Sequence, residues 1–135
     1  MDSGIGEAAR SIPDADIAAG VLVETEWLTP AAVVVRPRGE LDLDSASELR
    51  AELFGVIENG ANVVVLDLET TSFIDSMTIG VLLGAVRRLQ QRGGELRIAC
   101  ADPNITRIFE ITLLDRVFGI YPSCGAALGS FAANR

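Results

Sequence analysis

With 135 residues, 49% of them apolar, the chain fits one domain with a real hydrophobic core. Acidic residues outnumber basic ones 19 to 11 with no dense basic cluster, which argues against direct binding of nucleic acid or of anionic membrane surfaces. Histidine is absent, which removes Ser-His-Asp and Cys-His nucleophilic catalysis and most zinc-site patterns together.

Residues 1–19, rich in Ala, Asp, Gly and Ser without a sustained period, read as a loose N-terminal tail, and the domain is expected over residues 20–135. Asp2 and Glu7 stand where a secretory signal would be basic, and no apolar stretch approaches the roughly 20 residues that cross a bilayer, so the expectation is a cytoplasmic protein. From Val21 to Trp27, Val21, Val23, Thr25 and Trp27 alternate with Leu22, Glu24 and Glu26, the period-2 signal of a strand with one wet face. Thr29-Pro30 reads as a turn into a second, β-branched strand from Ala31 to Arg36.

After Gly39, the segment Leu41-Asp-Leu-Asp-Ser45 leads into a helix, with Ser45 and Glu48 spaced as a capping box. Ala46, Leu49, Leu53, Val56 and Ile57 fall on its inward face, and Asn59-Gly60 ends it. Asn62 to Leu68 is nearly all apolar, as expected of a strand covered on both faces. Beyond Thr70 to Ser76, the residues Ile79, Leu82, Leu83, Val86 and Leu89 repeat at helical spacing until Gly93-Gly94 stops the helix. Leu96 to Cys100 is another strand, so Val63 to Cys100 is a strand–helix–strand unit whose crossover should be right-handed. Asp102-Pro103 marks the start of a short helix carrying Ile105, Ile108 and Phe109. Val117 to Tyr121 reads as a last short strand and Ser123 to Phe131 as a last helix. The fold class is therefore α/β: one domain with a mixed sheet of four to five strands and about four helices packed against it. Its two cysteines, Cys100 and Cys124, read as buried free thiols, with a redox pair as the alternative.

The segment Phe73-Ile-Asp-Ser-Met-Thr-Ile-Gly-Val-Leu-Leu83 carries the chemistry, because it sets Ser76 at the exposed start of a helix just after a buried strand. Unpaired N–H groups and the helix dipole would hold a phosphate there without unfolding the helix. Such a group adds about 1.5 to 2 negative charges beside Asp75, enough to repel a surface that had been complementary. A plainer reading is that Asp75 or Ser76 only caps the helix.

The wider pattern resembles the STAS family, most closely the bacterial anti-sigma factor antagonists. The resemblance rests on Gly39-Glu-Leu-Asp42, on Val63-Val-Val-Leu-Asp-Leu68 followed by Phe73-Ile-Asp-Ser76 and Gly80-Val-Leu-Leu83, and on Gly93-Gly-Glu-Leu-Arg97 leading to Ile105 and Leu113 to Phe118. It implies a STAS-like domain that binds an anti-sigma factor of the serine-kinase (GHKL ATPase) type and so frees a sigma factor. The kinase would phosphorylate the serine after the aspartate, Ser76 here, and a PP2C-type phosphatase would reset it. The chain would be substrate and not enzyme, with no cofactor of its own, the ATP and metal ions coming from the partner.

The family's contact surface would include Asp42, Asp44, Asp75, Ser76, Met77 and Thr78, although Asp42 and Asp44 equally suit a helix N-terminus. The family usually continues after Asp-Ser with a small hydroxyl residue and glycine, whereas this chain has Met77 and Thr78. That departure allows altered partner specificity, phosphorylation of Thr78 instead, or binding without a switch. The rival readings are a regulatory subunit of a transport system of the ABC lipid type and an unphosphorylated scaffold. A free edge strand leaves room for a weak homodimer.

Overall fold

In the computed structural model, which describes residues 22–38, 41, 43–71 and 73–133, five strands lie side by side in the order in which they occur in the chain. Strands β1 (Leu22–Thr29) and β2 (Ala32–Arg38) form an antiparallel hairpin. From β2 onward, β3 (Val63–Asp67), β4 (Glu95–Ala99) and β5 (Gly119–Tyr121) each pair in parallel with the strand before. Helices α1 (Leu43–Glu58), α2 (Ser76–Gln90) and α3 (Pro103–Ile111) make the crossovers, and α4 (Cys124–Ala133) follows the last strand. The mixed sheet with four helices is the architecture expected from the sequence.

Alternation along the strands divides the core. Val33, Val35, Val64, Leu66 and Ile98 point to the face covered by α1, α2 and α3, where they meet Leu49, Leu53, Leu82, Leu89 and Phe109. Val34, Val65 and Ala99 point to the other face and meet α4 through Ala127. Both faces of β3 are thus covered, which is why its sequence is a continuous apolar run.

Two departures from the sequence reading have local causes. Helix α1 begins at Leu43, so Ser45 is a buried residue of its first turn and no N-cap. The chain is fixed just before it, since Leu41 is fully buried and bridged to Ile74, and it coils as soon as it leaves that anchor. The last strand is shorter than expected because a 3-10 turn, Leu114–Arg116, precedes it and leaves Val117 exposed. Phe118 is drawn into the core instead, edge-on to Phe109 at 5.2 Å between ring centres.

The expected tail, residues 1–19, lies outside the described residues. Among those described, no helix is long and apolar enough to cross a membrane.

Candidate functional site

The carboxyl ends of β2 and β3 lead into two loops that the fold joins. The Leu41 N–H donates to the Phe73 carbonyl at 3.3 Å, and Leu41 forms an isolated parallel bridge with Ile74. Both side chains are buried, so each loop is pinned by one apolar residue. This brings Leu41, from the stretch Gly39 to Asp42 that the sequence singled out, against Phe73 and Ile74 of the stretch Phe73 to Ser76. Asp42 itself lies outside the described residues, and Asp44 falls in the first turn of α1. Carboxyl ends of parallel strands are where open α/β sheets present their sites.

At the start of α2, capping and presentation are divided between neighbouring residues. Asp75 is the N-cap: its backbone is extended and its Oδ1 accepts the Thr78 N–H at 3.0 Å. Ser76 is then the first helical residue, and it is exposed. Thr78, in the same first turn but on its inward side, is completely buried. Its hydroxyl carries one proton, which donates to Asp75 Oδ1 at 3.1 Å with the Leu41 carbonyl farther off at 3.4 Å. Thr78 therefore holds the cap and faces the β2–α1 loop, a link across the two loops that the sequence reading missed. The available signal was spacing, since Thr78 precedes Leu82 by one helical turn on the same buried stripe.

Around Ser76 the surface is unusually apolar for an acidic protein. Phe73 is 48% and Met77 52% exposed, so two large apolar side chains of the segment that carries Ser76 are left open. Ser76 and Met77 also open onto a groove between α1 and α2, lined by Arg50, Phe54, Arg87 and Arg88, residues the sequence reading did not single out. Among the described residues, no group of three or more His, Cys, Asp or Glu side chains is placed to hold a metal ion.

The alternative of a redox pair is not realised, and both cysteines are free. Cys100 belongs to the core under α1–α3 and Cys124 to the packing under α4, so the sheet stands between them. Burial pushes both thiols up; at Cys124 the neighbouring Asp67 adds to this and the Arg36 guanidinium opposes it.

Comparison with known proteins places this geometry in a family. The STAS domain profile matches residues 27–127. The anti-sigma F factor antagonist of Paenibacillus polymyxa is 30% identical over 90 residues, 66% of this chain and 77% of that one. The anti-sigma-B factor antagonist of Bacillus subtilis (strain 168) is 32% identical over 88 residues, 65% of this chain and 80% of that one. Among solved structures, the anti-sigma factor antagonist SpoIIAA in its unphosphorylated form superposes with a TM-score of 0.71 at 25% identity, over 82% of this chain and 97% of that one. The matched span runs from β1 to α4 and includes both joined loops, and the chain belongs to the STAS domain family.

Proposed function

We propose that the chain is an anti-sigma factor antagonist whose hold on its partner is switched by phosphorylation of Ser76. The observation that carries this reading is the split between two hydroxyls two residues apart, on opposite sides of the first turn of α2. Ser76 is exposed at the first position of α2, while Thr78 is buried and bonded. A kinase would reach the first without disturbing the fold, and the second only by opening the cap that Asp75 and Thr78 form.

The step is a phosphoryl transfer. Ser76 Oγ forms a bond to the γ-phosphorus of ATP, the bond between that phosphorus and the β,γ-bridging oxygen breaks, ADP leaves, and the hydroxyl proton passes to a base on the kinase. In this chain the Asp75 carboxylate is occupied as the cap, and the absence of histidine leaves no imidazole to serve as base. Catalysis is therefore the partner's work, and this chain is its substrate. Once attached, the phosphate is favoured by the α2 dipole but adds about 1.5 to 2 negative charges between Phe73, Met77 and Asp75. Contact with a partner that had buried the two apolar side chains is then disfavoured, and a PP2C-type phosphatase reverses the change by hydrolysing the phosphoester. The names of the curated relatives support the antagonist role, and a relative distinguished by its unphosphorylated form supports the switch.

Met77 and Thr78, where the resemblance is broken, take different parts in this reading. Met77 is a flexible apolar contact for the partner, and Thr78 is internal. Incubation with the serine-kinase anti-sigma factors encoded in its own genome and ATP, followed by localisation of phosphate by mass spectrometry, tests the proposal. Phosphate on Ser76, absent from Ser76→Ala and retained in Thr78→Val, is expected. Phosphate on Thr78, or none from any such kinase, overturns it, and the second result would favour a subunit of a transport system.

A further inference from the structure

The groove beside Ser76 has a charge opposite to that of the molecule. It runs along α2 from Ser76 to Gln91, about 22 Å at the helical rise. Its volume is about 500 Å³, and its walls are α1 and α2. Three arginines line it, Arg50, Arg87 and Arg88, and no carboxylate does, although the chain carries a net charge of -8.

Two of these arginines, Arg50 and Arg88, are held in place but only partly satisfied. The Phe54 ring has the Arg50 guanidinium 4.6 Å and the Arg88 guanidinium 4.9 Å from its centre. A guanidinium seated over a ring has five N–H donors and keeps some of them for a carboxylate. Arg88 spends one of these on Glu58 at 3.3 Å, a pair exposed on both sides. Arg50 and Arg87 have no carboxylate partner among the described residues. The floor is open as well: a Cβ built on Gly80 would meet nothing within 4 Å. Gly84 leaves the space across which Phe54 lies, 3.2 Å from where a Cβ would stand.

We infer that this groove is the seat of an acidic amphipathic helix of the anti-sigma factor, an inference that rests on the function proposed above and specifies which part of the partner is bound. Groove length suits about four turns of helix, the usual scale of helix-in-groove recognition. Apolar side chains of the helix would sit over Gly80 and Met77, and its carboxylates would pair with Arg50 and Arg87. The same geometry explains how one phosphate controls so long a contact. Ser76 lines the mouth of the groove, so its phosphate competes with the partner's carboxylates for the arginine field.

The test is a titration of the full chain with each serine-kinase anti-sigma factor of its own genome, comparing wild type with Gly80→Leu and Arg87→Glu, each checked by thermal unfolding. Gly80→Leu fills the open floor and should keep or raise Tm, because leucine is the better helix former. Either substitution should weaken binding by about tenfold or more, and the wild-type affinity should fall with added salt. A kinase that binds both variants as it binds wild type overturns the groove and leaves the antagonist role standing. If no kinase binds wild type, the proposed function falls and the groove with it. Loss of a self-associated state in the variants, with kinase binding unchanged, would identify the occupant as a second copy and also overturn the proposal.

Discussion

Asp75, Ser76 and Thr78 occupy consecutive roles at one helix start, and substitution separates them. Asp75 caps, so Asp75→Ala should cost about 0.5–2 kcal/mol while Asp75→Asn should cost less, as urea unfolding would show. Ser76 is exposed, so Ser76→Ala should change stability by no more than about 0.5 kcal/mol while removing the phosphate acceptor. Thr78→Val keeps the shape but deletes the hydroxyl that donates to Asp75; a loss of about 1 kcal/mol in stability is expected, with Ser76 still phosphorylated. Should Thr78→Val instead abolish phosphorylation while the protein stays folded, the division of roles drawn here is wrong.

Along the elements, helix α2 shows why glycine has to be read in place. At its end, Gly93 has a backbone φ of 73°, and a Cβ on Gly94 would stand 2.4 Å from the Asn62 carbonyl oxygen. Gly94→Ala should therefore destabilise by about 1–3 kcal/mol, whereas Gly80→Ala, facing open space, should stabilise by up to about 1 kcal/mol; paired denaturant titrations would distinguish the two. The same helix shows what a sequence can disclose. The spacing of Leu82, Val86 and Leu89 marks a buried stripe whatever the partner element, and Gly93-Gly94 marks its end. Leu83 repeats at the same spacing yet is only half-buried, and the small residues Thr78 and Ala85 complete the stripe. The Asp75–Ser76 pair was legible as a helix start, but not which of the two caps it, because that depends on backbone geometry. The Thr78–Leu41 approach and the Arg50–Phe54–Arg88 stack join residues far apart in the chain, and only the closed fold brings them together. For the same reason the end of α1 is legible at Asn59-Gly60 and its start is not: the anchor that sets the start, Leu41 on Ile74, is tertiary.

For the molecule as a whole, the sheet carries two unequal packing layers, and the functional edge belongs to the larger. Leu82 is fully buried in that layer, one turn beyond Thr78, so Leu82→Ala should cost about 2–5 kcal/mol. The basic residues are all arginines, which leaves alkaline titration to few groups. Because burial raises both thiols, the folded chain holds those protons more tightly than the unfolded one; their contribution is complete below the unfolded thiol range and is lost as pH rises past it. The urea midpoint should accordingly fall as pH rises through and beyond the ordinary thiol range, about 8.5, and Cys100→Ala should flatten that fall. Stability in this range bears on the core and not on the switch, since Ser76 does not titrate there. The most direct measurement of the switch is calorimetric titration of one anti-sigma factor kinase with the unmodified chain and with the chain phosphorylated at Ser76. Affinity should be weaker by about tenfold or more after phosphorylation, with the fold unchanged. Equal affinities for the two forms would contradict it.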